Sequence, residues 1–189
     1  AMTLNQLSSG RFIVGLGASG PQVVEGWHGV AYGRPMTRTK EYIDIMRKIF
    51  AREEPVEHQG FHYSMPYQGE DGTGLGKPLK SMLAADTSIK IYTAAITPKG
   101  LETSGEVADG VFPIWMPPEK TDVLVDSIQT GLSKSGRSLV EYDVAPFVTV
   151  MIGDNLEHCR MPIKGNMALY IGGVGARNKT FYDYYAKAL

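Results

Sequence analysis

Apolar and polar positions along the chain predict short strands that alternate with amphipathic helices. Apolar runs at 11–16, 89–96, 110–115 and 143–152 have the length and composition of buried strands. Apolar residues recur at helical spacing in 37–50 and 118–133, and Thr97-Pro98 has the cap and first-turn residues of a helix that runs to Ala108. This order predicts an α/β protein with a parallel sheet and crossover helices.

The segments around these elements are less regular. Residues 3–10 have the character of a last helical turn, and Ala1-Met2 is expected to carry no fold information. Thr37 is predicted to cap the helix 37–50, whose apolar face would hold Tyr42, Met46, Ile49 and Phe50. Segment 53–86 is rich in Gly, Pro, His and Tyr without a sustained period, so it is interpreted as an irregular insertion of functional or mobile character. A tail broken by glycines is expected after 152.

Composition places the chain among ordinary globular proteins. Of 189 residues 43% are hydrophobic and 21% charged, enough for one substantial domain. The net charge of −1 provides no basic field, so neither nucleic acid nor membrane is expected as a partner. The single cysteine, Cys159, cannot form an internal disulfide, and the given sequence contains neither the charged-then-apolar pattern of a signal peptide nor a run of eighteen apolar residues. A cytoplasmic location is expected.

The glycine-rich stretch Gly15-Leu16-Gly17-Ala18-Ser19-Gly20 fits the spacing of a dinucleotide-binding turn. That motif requires a helix directly after its third glycine and an acid about twenty residues further on. Here Gly26 and Gly29 interrupt a helix from Pro21, and Glu41 falls inside a helix, which argues against a dinucleotide site. A loop after a strand of a parallel sheet favours a wall of a binding site. The alternative is a tight turn that uses its glycines for positive φ.

Two other groups of residues are candidates for function. Ala94-Ala95-Ile96-Thr97-Pro98 joins a strand to a capped helix, where small residues and free amides favour a phosphate-bearing ligand, although a buried strand with a good cap explains the same letters. His28, His58 and His62 carry metal-ligating side chains, but Gly60 opposes a helix between the last two. No metal site is predicted.

Three quoted stretches carry a resemblance to a known family: "TLNQLSSGRFIVGLGASGPQVVEGWHGVAYGRPMTRTKEYIDIMRKIF", "IYTAAITPKGLETSGEVADGVFPIW" and "ALYIGGVGARNKTFYDYYAKAL". Together they resemble the bacterial luciferase-like monooxygenases, and within that family the branch that uses the deazaflavin coenzyme F420. The resemblance implies a (β/α)₈ TIM-barrel fold, of which residues 3–189 would form a partial domain that carries strands four to seven, with 53–86 as an insertion.

The same resemblance implies a cofactor and its contacts. Coenzyme F420, or alternatively flavin mononucleotide (FMN), would lie at the carboxyl ends of the strands. Gly17, Ala18, Ser19 and Gly20 would border it, and Ala95, Ile96 and Thr97 would meet its phosphate-bearing tail. Many relatives have glycine at the position of Thr97, so the threonine adds a hydroxyl and takes away room. No catalytic acid or base is named.

The implied function is that of an oxidoreductase fragment that moves hydride between a small-molecule substrate and a deazaflavin, and the chain alone is expected to show no appreciable turnover. The alternative is a catalytically silent half-barrel or an oligomeric binding module. Naked strand edges at 11–16 and 143–152, with a bare apolar face between them, predict a homo-oligomer. A competing prediction is that the tail Phe181–Tyr185 covers this face.

Overall fold

A computed structural model of the protein describes residues 1–172, 175–176, 179–180, 183–184 and 186. Its helices are α1 (Met2–Leu7), α2 (Pro21–Gly26), α3 (Pro35–Ala51), α4 (Pro98–Val107), α5 (Asp122–Lys134) and α6 (Leu156–Gly172), with 3-10 turns at Pro118–Lys120 and Leu139–Glu141. Its strands are β1 (Ile13–Leu16), β2 (His58–Gln59), β3 (Ser64–Met65), β4 (Lys90–Thr93), β5 (Gly110–Val111), β6 (Asp143–Val144), β7 (Gly175–Ala176) and β8 (Lys179–Thr180).

The predicted parallel sheet is confirmed. Within the described residues its strand order is β1-β4-β5-β6, and every neighbouring pair is parallel. A helix or a longer segment that contains one connects each strand to the next, as crossover connections require. Strands β1 and β6 form the two edges of the sheet, so both predicted edges are found.

Prolines shorten the two last strands relative to the prediction. β5 ends at Val111 instead of continuing to Trp115, and β6 ends at Val144 instead of Ile152. Pro113 and Pro146 lie just beyond these ends and have no amide hydrogen to donate to a ladder. The pairing resumes only as a single bridge between Ile114 and Phe147.

Helices α1, α3, α4 and α5 pack on one face of the sheet and form two apolar clusters with it. The first lies under β1 and β4 and comprises Met2, Val14, Ile43, Phe50, Ile89, Ile91 and Ala108. The second lies between β5 and the helices α4 and α5 and comprises Leu101, Val111, Met116, Leu124, Ile128, Leu132 and Tyr142. The expectation that Met2 carries no fold information is wrong, because its side chain is part of the first cluster.

Glycines bring α4 and α5 into close contact. A Cβ atom on Gly131 would lie 2.0 Å from the backbone oxygen of Glu102, and one on Gly105 would lie 2.4 Å from the oxygen of Ile128. No side chain fits at such separations, so the two helix backbones touch directly. This contact fixes α4, and therefore its amino end, relative to the sheet.

Several local predictions need correction. Helix α3 begins at Pro35 with Arg34 as its cap residue, because proline is favoured in the first turn, so Thr37 is not the cap. Its buried side chains are Ile43, Ile45 and Phe50, whereas Tyr42 is exposed. Within the region expected to be a glycine-broken tail, residues Leu156–Gly172 form the helix α6, which contains Pro162. The predicted covering tail, Phe181–Tyr185, lies largely outside the described residues.

The loop after β1 is not a turn that uses its glycines for positive φ. Among 17–20 the left-handed residue is Ser19, with φ of 57°, whereas Gly20 is extended with φ of −126°. The short helix α2 begins directly at Pro21 and ends at Gly26, where the sequence predicts an interruption.

No helix within the described residues is long and apolar enough to cross a membrane.

Segment 53–86 is mostly irregular and contains one hairpin. Strands β2 and β3 pair antiparallel, with His58 opposite Met65 and Gln59 opposite Ser64. A single bridge joins Val56 to Leu79, and the Asp86 amide donates to the oxygen of Phe50 at the end of α3. These contacts hold the segment against α3.

Candidate functional site

The two loop segments singled out from the sequence meet at the carboxyl edge of the sheet. The register of β1 and β4 pairs Leu16 with Thr93, and the Ala94 amide donates to the Leu16 oxygen at 2.7 Å. A Cβ atom on Gly17 would lie 3.6 Å from the Cβ atom of Ala94. The structure therefore brings Gly17, the first residue of one segment, beside Ala94, the first residue of the other, as neighbouring parallel strands require.

The second loop offers backbone amides to a ligand. Thr97 caps α4, since its hydroxyl accepts from the Gly100 amide at 3.1 Å and its backbone oxygen accepts from Leu101. Within the described part of the chain, the amides of Ala95, Ile96, Thr97 and Lys99 have no hydrogen-bond acceptor. Free amides at the start of a helix are suited to an anionic group.

A small cavity lies beneath the loop after β1. It has a volume of about 290 Å³, and its walls come from the loop, from α3 and from the hairpin. The residues that line it include Gly17, Ala18, Arg38, Tyr42 and Tyr63. Of these, only Gly17 and Ala18 are predicted site residues. Arg38 and Tyr42 lie on a helix whose periodicity indicated only packing, and Tyr63 lies in the irregular segment.

Glu41 holds the hairpin against α3. Its carboxylate accepts hydrogen bonds from the amides of Phe61, His62 and Tyr63 at 2.8, 2.9 and 3.0 Å. Burial raises the pKa of Glu41, but the amides of His62, Phe61 and Tyr63 and the His58 side chain outweigh it, so this pKa lies below its ordinary value. The carboxylate thus fixes the wall of the cavity that carries Tyr63.

Two of the three histidines considered as metal ligands, His58 and His62, make side-chain contacts with neighbouring residues. His58 lies 3.5 Å from Glu41 and 3.2 Å from Asp44, and the two ring nitrogens of His62 contact Arg38 at 3.3 Å and the oxygen of Arg34 at 3.1 Å. No group of three or more His, Cys, Asp or Glu side chains suited to a metal ion occurs among the residues with described positions.

Aromatic rings cover the other face of the sheet, which the helices leave open. The ring of Phe112 packs 5.1 Å from Tyr92 and 5.4 Å from Phe147, measured between centroids. A Cβ atom on Gly15 would lie 3.3 Å from Phe112, so the glycine admits this ring. Burial and a 2.6 Å hydrogen bond to Asp143 raise the pKa of Tyr92 to about 12, which keeps its hydroxyl protonated.

A larger cavity of about 760 Å³ lies between the segments that follow β5 and β6 and the helices α5 and α6, and its lining is predominantly apolar. Trp115 lines it with a left-handed backbone at φ of 62°, a conformation that bulky residues rarely adopt, and its indole nitrogen is buried without a hydrogen-bond partner among the described residues. The apolar run 110–115 predicts a strand that includes Trp115, because no residue near it in the sequence indicates a positive φ.

Comparison with known proteins identifies related chains. The sequence profile described as luciferase-like monooxygenase matches residues 1–187. A Mycobacterium tuberculosis protein that carries a provisional name as a coenzyme F420-dependent oxidoreductase is 42% identical over 99% of this chain and 55% of its own length. The 5,10-methylenetetrahydromethanopterin reductase of Methanolobus tindarius is 32% identical over 90% of this chain and 48% of its own.

A solved structure is similar as well. The coenzyme F420-dependent tetrahydromethanopterin reductase of Methanopyrus kandleri superposes with a TM-score of 0.70 at 25% identity, over 91% of this chain and 50% of that one. The sheet and its outer helices thus correspond to part of a TIM barrel, as predicted. The chain spans about half the length of the curated relatives it matches.

Proposed function

Because the chain belongs to the luciferase-like monooxygenase family, we propose that it takes part in an oxidoreductase that binds coenzyme F420 at the carboxyl edge of its sheet. The relatives named for F420 or for tetrahydromethanopterin reduction support this cofactor. The observation that carries the proposal is the junction of the Gly17 loop with the free amides that follow Ala94. The reaction proposed is transfer of a hydride between a small-molecule substrate and the deazaflavin.

The residues present fit such a cofactor. Gly17, Ala18, Ser19 and Gly20 would border the cofactor, because short side chains at the edge of the sheet let a flat ligand approach the backbone. The amides of Ala95, Ile96 and Thr97 would receive its phosphate-bearing tail, and Lys99 would add a fourth. The Thr97 hydroxyl already accepts from Gly100, so it remains able to donate its own hydrogen.

The role of the chain in the reaction is positional. A bound deazaflavin supplies the acceptor or donor of two electrons and a proton. The loops after β1 and β4 would orient it, and the rings of Tyr92 and Phe112 would exclude water from the region behind it. Orientation and exclusion of water are large contributions to rate in reactions of this type.

A titration of F420 fluorescence tests this function. We expect saturable binding to the protein and at least about tenfold weaker binding to Gly17→Val, because the new side chain projects into the proposed site while its Cβ atom makes only an ordinary contact with Ala94. Gly165→Val on the exposed helix α6 is the matched control. The same titration with FMN determines which cofactor binds. If neither F420 nor FMN binds, the alternative of a catalytically silent half-barrel or an oligomeric binding module is favoured.

A second function, assembly with other copies, is supported by the open face. Phe147, Val148 and Val150 follow β6 and are strongly exposed, and Ile13 on the opposite edge strand is exposed as well. We propose that these residues form an interface in a homo-oligomer, since apolar clusters of this kind mark contact surfaces.

A further inference from the structure

The small cavity beneath the loop after β1 contains a cationic side chain whose donors are mostly unused. Arg38 donates through Nη2 to the oxygen of Ala31 at 3.2 Å and contacts Nδ1 of His62 at 3.3 Å. Its Nη1 and Nε atoms have no partner among the described residues, and no ion pair between described residues includes Arg38. A guanidinium has five donors, so three remain available.

The nearest carboxylate on the same helix does not neutralise this charge. Glu41 lies one turn further along α3, but its two oxygens already accept three backbone amides and lie beside His58. Glu25, on the short helix α2, accepts from the Tyr32 amide. The positive charge of Arg38 therefore faces the cavity without a counter-ion from these neighbours.

The surroundings of Arg38 are polar and shaped by aromatic rings. Tyr42 and Tyr63 also line the cavity, and their ring centroids lie 6.0 Å apart. Tyr32 donates to the oxygen of Ser19 at 3.1 Å, which ties the loop to this region. Burial raises the pKa of Tyr32 and the charge of Arg38 opposes the rise, so the guanidinium acts electrostatically on this loop.

We propose that this cavity is an anion subsite in which Arg38 binds a carboxylate or phosphate group, with Tyr42 and Tyr63 as its walls. A guanidinium binds such groups through two parallel hydrogen bonds, and the unused Nη1 and Nε atoms present that pair of donors. The volume of about 290 Å³ admits one small anionic group. Glu41 is a positioning residue, since it holds the hairpin that carries Tyr63 and His62.

The subsite is distinct from the amides of Ala95–Thr97 and does not depend on the proposed cofactor. Its anion has two possible sources, the acidic tail of a deazaflavin coenzyme or a separate anionic substrate. Either source would present a carboxylate or phosphate group to Arg38. Competition of F420 and of its chromophore with bound glutarate distinguishes the two sources.

The test uses the full chain with inorganic phosphate and glutarate as probes. Proton–nitrogen NMR spectra of the arginine side chains report on the Nε–H group of Arg38, which is assigned from its absence in Arg38→Gln. We expect this signal to shift on titration, and we expect Arg38→Gln to bind the probes at least about tenfold more weakly, as loss of a charge-assisted pair requires. Arg34→Gln is the matched control, because Arg34 lies four residues away and stacks on Phe61 at 4.3 Å.

Backbone amide spectra show whether each variant is folded. If Arg38→Gln binds both probes as well as the unmodified protein does, or if the Arg38 signal does not move, the subsite is refuted. Displacement of glutarate by F420, but not by its chromophore without the phosphate-bearing tail, would assign the anion to the cofactor. Probe binding that neither compound displaces would assign it to a separate anion. In both cases the subsite stands, even if the F420 proposal fails.

Discussion

At the scale of single residues, polar groups on α3 decide the shape of the candidate site. Glu41 binds three consecutive amides of a hairpin that is distant in sequence, and Arg38 contacts His62 of the same hairpin. Neither role follows from the sequence, because the partners belong to segment 53–86, which has no period from which its path is predictable. The Gly17 and Ala94 segments were predictable, since their positions follow from the strands before them.

Glu41→Gln should destabilise the protein. An amide in place of the carboxylate presents its NH₂ group to backbone donors, which leaves at least one partly buried amide without an acceptor, at a cost of about 1–3 kcal/mol in the free energy of unfolding. Urea denaturation at neutral pH measures this change. Glu53→Gln, on an exposed residue, is the control and should change stability by less than about 0.5 kcal/mol.

The pH dependence of the same variant gives a second readout. The pKa of Glu41 is lowered by folding, so the stabilisation is present above its ordinary value of 4.5 and is lost as the pH falls through the folded value. The unmodified protein should therefore lose more stability than Glu41→Gln as the pH falls below 4.5. If the stability of both proteins falls equally with pH, the Glu41 carboxylate does not hold the hairpin against α3.

At the scale of elements, helices with a long apolar period were predictable from the sequence. The ends of strands near prolines and the exposed helix α6 were not. The periodic helices at 37–50 and 118–133 and the capped helix after Thr97 occur within a few residues of their predicted bounds. Strands β5 and β6 end just before Pro113 and Pro146, although the apolar sequence predicts longer strands. Helix α6 was missed because its apolar residues have no preferred face, and Met161 and Leu169 are exposed on it.

The close contact between α4 and α5 is expected to be sensitive to any added side chain. Gly131→Ala places a Cβ atom where the Glu102 oxygen lies, so the helices must separate, and we expect a loss of about 1–3 kcal/mol in the free energy of unfolding. Gly165→Ala on α6 meets nothing within 4 Å and should be neutral or stabilising by up to about 1 kcal/mol through helix propensity. Thermal or urea denaturation compares them. Equal effects of the two changes would refute the close approach of the backbones.

At the scale of the whole molecule, the described residues form a four-stranded parallel sheet with helices α1, α3, α4 and α5 on one face and aromatic and aliphatic side chains on the other. The resemblance in sequence was sufficient to predict this architecture, because the family fold determines the strand order. It was not sufficient to predict Trp115 or the two cavities, which depend on backbone angles and loop paths that no short motif encodes.

The open face predicts association. Light scattering after gel filtration should give a mass at least twice that of the 20.7 kDa chain at micromolar concentration. Val150→Asp, next to β6, should shift the protein toward the monomer, since a buried unpaired charge disfavours an apolar interface. Val140→Asp, on an exposed 3-10 turn before β6, should leave the mass unchanged. A monomeric mass for the unmodified protein at high micromolar concentration would refute the homo-oligomer.

The carboxyl edge of the sheet is the proposed binding site of a deazaflavin coenzyme. The most direct measurement is a backbone amide NMR titration of the isotope-labelled chain with F420. The largest shifts are expected at the amides of Ala95, Ile96 and Thr97 and in the loop Gly17–Gly20, with little change along α6. Saturable shifts confined to other regions, or no shifts at millimolar coenzyme, would contradict it.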